Sequence, residues 1–319
     1  MFNDIGYWFL RRVLKYSAPV LRLWEGRNLK NYSRERDTFQ PVFIVGPPRS
    51  GSTILYQLIT NYLDVTYIDN LMNMSREAPW FGVWLSNKLY GDSHHNSFVS
   101  DHGKTLKSGL HAPNEGLFWY RWLPRNTHYV ETSQISQKDI LEMQGFVNAI
   151  MNKYRKPVVF KNLSFSMRLK LIKEVFPQAK IIYIKRDPVY VAQSILLARK
   201  KEGITKNKVW SIKPQNFDVL TTMTEVKHVV LQTYLIEQQI YNDLKMFDSR
   251  QKIVVEYENL CNNKDMMSTL AGFINSSIVN TDVLEEIRMS NKQKTEDSIF
   301  NEIKEEVKML DWNRFSTNN

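Results

Sequence analysis

From residue 41 onward, short apolar runs alternate with longer segments whose apolar positions recur at helical spacing. Pro41-Val-Phe-Ile-Val-Gly46 is short, apolar and β-branched, and proline and glycine bound it, so it predicts a buried strand. Ile54, Leu55, Leu58, Ile59 and Tyr62 then share one helical face, which predicts a helix directly after that strand. Further strands are predicted at Val65–Ile68, Pro157–Phe160, Lys180–Ile184 and Lys252–Val255. Helices are predicted at Ile140–Tyr154, Met167–Phe176, Pro188–Lys201, Val226–Phe247 and Asp265–Ile274, and a solvated helix in the charged tail Asn291–Leu310. This alternation implies an α/β fold of three αβα layers around a mostly parallel sheet. Ligands of such sheets bind beyond the carboxyl ends of the strands.

Two segments break the pattern. Residues 75–133 hold four of the eight tryptophans and five of the six histidines, with weak periodicity, which predicts a helical and loop insertion that forms an acceptor site. Residues 1–40 form an amphipathic basic segment ahead of a single domain at 41–319. In it Phe2, Tyr7, Trp8, Phe9, Leu14 and Trp24 interleave with Arg11, Arg12, Lys15 and Arg22. Such a segment either covers its own core or lies on an anionic bilayer. No stretch reaches the ~18 uninterrupted apolar residues of a spanning helix, and no signal-peptide pattern is present. The expected location is the cytoplasm, with at most peripheral contact at the inner membrane surface.

Composition narrows the classes only modestly. A single cysteine, Cys261, excludes an intrachain disulfide framework and a thiolate zinc cluster. A formal net charge of +10 favours anionic partners, from nucleotides to membrane surfaces, without choosing among them.

The first strand–helix turn chooses. It reads Gly46-Pro47-Pro48-Arg49-Ser50-Gly51-Ser52-Thr53. A tight turn before a helix aims backbone N–H groups and the helix dipole at an anion, and Ser50, Ser52 and Thr53 add hydroxyl donors. Gly46 and Gly51 have the separation of a Walker A loop, but Ser52 stands where its lysine belongs, and the cation is Arg49 inside the loop. The missing lysine argues against ATP or GTP hydrolysis. A nucleotide or sugar kinase stands as the rival enzyme class, and a non-catalytic basic protein binding nucleic acid or membrane as the rival outside catalysis.

The string IVGPPRSGST resembles the 5′-phosphosulfate loop of the sulfotransferase superfamily, in its arginine-bearing branch of tyrosylprotein and bacterial carbohydrate enzymes. Phe176–Lys200 resembles the family's 3′-phosphate segment, in which an arginine ends a strand and a serine follows on the next helix. Arg186 and Ser194, eight positions apart, match that spacing. A strand end and the first turns of the next helix converge, so guanidinium and hydroxyl can share one phosphate. Val254–Leu260, VVEYENL, resembles a third family segment whose tyrosine, here Tyr257, contacts the nucleotide; Asn259 departs from the usual aspartate.

The resemblance implies transfer of a sulfuryl group from 3′-phosphoadenosine-5′-phosphosulfate (PAPS) to an acceptor hydroxyl, without a metal and without a nucleic acid partner. Arg49, Ser50, Gly51, Ser52 and Thr53 would hold the 5′ end, and Arg186, Ser194 and Tyr257 the 3′ end. Arg49 and the loop amides would stabilise charge growing on the leaving oxygen. The general base is open between two carboxylates. The tyrosylprotein branch places a glutamate where this chain has Asn70, and Asp69 is the nearest carboxylate. Glu115, in a Pro-x-Glu segment similar to that of bacterial members, precedes the aromatic run Leu117–Trp122, whose faces would suit a sugar ring; His111 stands behind both. Lys161 and Asn162, past a strand end, are further candidates, while His94, His95 and His102 read as solvated loop residues. By analogy the acceptor is a glycan, glycolipid or small molecule rather than protein tyrosine.

Overall fold

A computed structural model of the chain describes residues 4–34, 39–99, 105, 108–262, 265–280 and 289–315. Among these, β1 Val42–Val45, β2 Thr66–Tyr67, β3 Val158–Lys161, β4 Lys180–Lys185 and β5 Lys252–Glu256 form one sheet in the order β2-β3-β1-β4-β5. Every pairing is parallel. The helices are α1 Asp4–Leu29, α2 Ser52–Tyr62, α3 Asn70–Met74, α4 Pro79–Tyr90, α5 Gln137–Tyr154, α6 Leu169–Val175, α7 Pro188–Lys201, α8 Glu225–Leu244, α9 Tyr257–Asn262, α10 Met266–Ile274 and α11 Asp297–Lys308.

Side chains alternate across each strand, and both faces are covered, as parallel sheets require. Phe43, Val45, Phe160, Ile181 and Tyr183 meet α5, α6 and α8 on one face. Val42, Ile44, Val159, Ile182 and Ile184 meet α2 and α10 on the other. The fold is therefore the α/β, three-layer arrangement expected. The chain leaves central β1 for β2 and β3 on one side, then β4 and β5 on the other. That reversal opens a crevice at the carboxyl end of β1, which is where a ligand site belongs.

Three expectations change. Residues 75–133 carry helix α4, in keeping with a helical and loop insertion, but the 3₁₀ turn Leu117–Arg121 turns Phe118 and Trp119 into the core against Phe160. Phe118, Trp119 and Trp122 are thus core and offer no sugar-binding face. The helix expected from Met167 starts instead with a 3₁₀ turn, Leu163–Met167; buried Arg168 follows and donates to the carbonyls of Pro124, Thr127 and His128. The tail helix α11 is not merely solvated. Phe300, Ile303 and Val307 fall on one side of it and are buried, with Ile303 and Val307 packed on α7 and α8.

Helix α8 holds a buried acid. Glu237 is 2% exposed beside Tyr183, and burial pushes its carboxyl up to about 7, a rise that the Lys185 ammonium partly offsets. The raised folded value means that the protonated acid stabilises the fold below the ordinary glutamate range. That stability is lost as pH rises through about 7. Glu237→Gln is therefore expected to be near neutral at pH ~4 and to stabilise at pH ~8 by up to about 3 kcal/mol. Denaturant unfolding at the two pH values checks this.

Candidate active site

Four neighbouring strands deliver the site from their carboxyl ends. β1 runs into the loop Gly46–Gly51, β3 ends on Lys161, β4 leads into Arg186 and β5 into Tyr257. Gly51, at the start of α2, has φ 95° and supplies no side-chain cap, so the first amides of α2 are left to an external acceptor. A Cβ on Gly51 would sit 2.4 Å from the Tyr257 ring, and one on Gly46 would sit 2.5 Å from the Ile184 carbonyl oxygen. Only glycine lets β1, β4 and β5 converge this closely. Ser50 is fully buried, and its hydroxyl has no hydrogen-bond partner among the described residues. A buried, unsatisfied hydroxyl costs about 1–3 kcal/mol unless a ligand completes it.

Arg49 adopts φ 72°, a left-handed conformation that costs an L-residue roughly 1–2 kcal/mol. Two contacts hold it there. Its Nε donates to Ser194 Oγ at 2.9 Å, and its carbonyl accepts from Arg186 Nη1 at 2.9 Å. The Arg186 guanidinium lies 4.7 Å over the Tyr257 ring, and donates to Asn291 Oδ1 at 2.9 Å and to Ser290 Oγ at 3.1 Å. Ser290 N in turn donates to Tyr257 Oη at 3.1 Å. Burial lowers the Arg186 pKa from the ordinary arginine value, against the pull of Tyr257, Glu258 and Asp187. A cation so desolvated gains from an incoming anion.

The structure therefore brings Arg49, Ser50, Gly51, Ser52, Thr53, Arg186, Ser194 and Tyr257 together. Most of them line a cleft of about 420 Å³ that also includes Glu115, Lys161 and Trp210. Lys161, with a side chain only 2% exposed, donates to Glu115 Oε1 at 2.8 Å, while the Glu115 side chain is 44% exposed. Asn162 is occupied otherwise; its Oδ1 accepts from Ser164 N at 3.0 Å and caps the 3₁₀ turn.

Asp69 and His111 are elsewhere. Asp69 is fully buried at the start of α3, where it accepts from Met72 N at 2.7 Å and from the Ser86 hydroxyl, with His111 Nδ1 at 3.3 Å. Both residues line a separate cavity of about 560 Å³ that does not include Arg49. His94 is exposed, but His95 is not the solvated residue expected. It contacts Thr60 Oγ1 at 3.0 Å, and burial, reinforced by His111, pulls its pKa down to about 4. His102 lies outside the described residues.

Ser290, Asn291 and Trp210 were not anticipated from sequence. They sit in aperiodic polar stretches, and only tertiary contact joins them to Arg186 and the loop.

These features define a class: an α/β protein with an anion loop at its first strand–helix turn, an arginine in place of the Walker lysine, and a second buried arginine beside it. The sequence profile of the sulfotransferase family matches residues 41–273, well over half of the chain, and the chain belongs to that family of transferase enzymes. The match displaces the kinase alternative. The omega-hydroxy-beta-dihydromenaquinone-9 sulfotransferase Stf3 of Mycobacterium bovis is 28% identical over 178 residues, 50% of this chain and 45% of that protein. Its Mycobacterium tuberculosis counterpart matches equally. The chain spans about half the length of these relatives. Among solved structures, sulfotransferase STF1 from M. tuberculosis H37Rv superposes with a TM-score of 0.48 at 14% identity, covering 96% of this chain and 86% of that one. The sulfotransferase domain from the curacin biosynthetic pathway gives 0.43 at 16% identity, covering 82% of each chain.

Proposed function

We propose that this chain transfers the sulfuryl group of PAPS to the hydroxyl of a lipid or other small molecule. The observation that carries the reading is the 2.9 Å bond between Arg186 Nη1 and the Arg49 carbonyl, which fixes two cationic groups side by side beyond adjoining strands β1 and β4. The residues present fit the donor. The uncapped first turn of α2, with Ser52 and Thr53 on the cleft wall, and the Arg49 guanidinium suit a 5′-phosphosulfate. Buried Arg186, stacked on the Tyr257 ring, suits a 3′-phosphate, while the Ser194 hydroxyl is held by Arg49 Nε.

When bound, the donor supplies an activated sulfuryl group whose sulfur–oxygen bond to the 5′-phosphate breaks as the acceptor oxygen attacks sulfur. Arg49 and the α2 amides stabilise the charge that collects on the 5′-phosphate oxygen. Glu115 takes the acceptor proton. It shares the cleft with Arg49, and Lys161 holds one of its oxygens while the carboxylate stays accessible. Asp69 is the poorer base, because an N-cap bond and the Ser86 hydroxyl already occupy its oxygens and no path to Arg49 is shared.

One observation favours a hydroxylated lipid over a glycan: the curated relatives are named for a hydroxylated menaquinone. Glu115→Gln is expected to lower transfer by about 10²–10⁴-fold with donor affinity unchanged. Labelled sulfate transfer from PAPS to a panel of hydroxylated lipids, phenols and sugars checks both points. Wild-type turnover in the variant would remove Glu115 from its role, and transfer confined to sugars would overturn the acceptor class.

A further inference from the structure

Helix α1 has two unlike faces. Its inner face sits on α3, α4 and α5, with Leu14, Ala18 and Glu25 buried. Arg11 pairs with Glu77, and Glu25 accepts from Trp80 N at 3.0 Å. Its outer face carries Phe9, Val13, Tyr16, Val20 and Leu23, spaced four and three residues apart, which makes a single stripe. These side chains are 43–73% exposed, and neighbouring Trp8 is 55% exposed. Six of the fifteen large hydrophobic side chains exposed among the described residues thus lie on one helix. Clustering of that kind marks a contact surface rather than ordinary scatter. Arg12, Lys15, Arg27 and Lys30 are exposed on the same helix or just past its end, and Glu25, the single acid between Gly6 and Lys30, is on the buried face.

We infer that the outer face of α1 lies on the surface of a lipid bilayer with anionic headgroups. The apolar stripe enters the acyl boundary while its basic neighbours meet the headgroups. Trp8 and Tyr16 have the amphipathic rings favoured at that depth, and the Arg12 guanidinium stacks 4.0 Å over Trp8. Charge decides against a second copy as occupant: pairing this face with itself would set basic flank against basic flank, with no exposed acid between Gly6 and Lys30 to offset them. No helix among the described residues is long and apolar enough to cross a bilayer, so the contact is with its surface.

On its inner face the docked helix is braced against the segment that follows Glu115: Glu25 Oε2 lies 3.8 Å from Arg121 Nη1, and Arg121 ends the 3₁₀ turn that begins two residues after Glu115. The docking does not rest on the sulfotransferase reading.

The test uses the full chain, sedimented with vesicles of phosphatidylcholine and with vesicles of equal parts phosphatidylcholine and phosphatidylglycerol. Binding to the anionic vesicles is expected to exceed binding to the neutral ones by about tenfold or more, and Lys15→Gln to lower it about fivefold. Phe9→Ser with Val20→Ser is expected to lower it about tenfold or more at unchanged melting temperature, because both side chains are exposed. Equal binding to both vesicle types, or full binding by the double variant, would overturn the inference. So would a concentration-dependent dimer that the double variant abolishes, which would assign the face to a second copy. Transfer to a water-soluble acceptor, measured in parallel and expected to be unchanged in the variants, separates failure of docking from failure of the catalytic reading.

Discussion

Arg49→Ala is expected to slow sulfuryl transfer by about 10³-fold in single-turnover assays with saturating donor, the loss that follows removal of a preorganised donor to a transition-state oxyanion. The substitution removes the cation of the loop and leaves the backbone in place. Alanine at φ 72° suffers about the strain that arginine does, and the carbonyl that accepts from Arg186 is retained. The loss should therefore fall on the chemical step more than on donor binding. Arg49→Lys restores charge but not the Nε bond to Ser194, so partial recovery is expected. Turnover in Arg49→Ala within about tenfold of wild type would deny Arg49 its electrostatic role.

Arg186→Ala should fail differently. Its guanidinium is buried and directed by the Arg49 carbonyl, Ser290, Asn291 and the Tyr257 ring. Loss of a charge-assisted contact to phosphate is expected to raise the donor KM by about 10²-fold with a smaller fall in kcat. The same contacts brace the loop, so some loss of melting temperature accompanies it, and affinity is measured well below that transition. The diagnostic outcome is selective: a nucleotide lacking the 3′-phosphate should bind wild type and variant alike. Equal weakening of both nucleotides would make Arg186 a brace for the loop and nothing more.

Much of this was legible in the chain because strand and helix patterns are local. The run at Pro41–Gly46, the helical face of Ile54 to Tyr62 and the proline start of α7 each carry their own signal, and the two segments proposed to bind phosphate hang on those elements. The insertion was opaque for a physical reason. Its aromatic residues follow no single period, so Trp119 beside a carboxylate looks the same whether it faces a cleft or the core; contact with Phe43, Phe160 and Phe165 settles it. Asp69 was ambiguous for a related reason, since a carboxylate just before a helix is as good an N-cap as a base, and here it caps α3. Ser290 and Asn291 had no local signal at all. They matter only because the chain returns, more than a hundred residues after Arg186, to close around its guanidinium.

Calorimetric titration of the full chain with 3′-phosphoadenosine-5′-phosphate and with adenosine 5′-phosphate probes the paired cationic sites most directly. Preference for the doubly phosphorylated nucleotide by about 10²-fold, lost in Arg186→Ala, is the expected result. Indifference to the 3′-phosphate in the wild-type protein would contradict it.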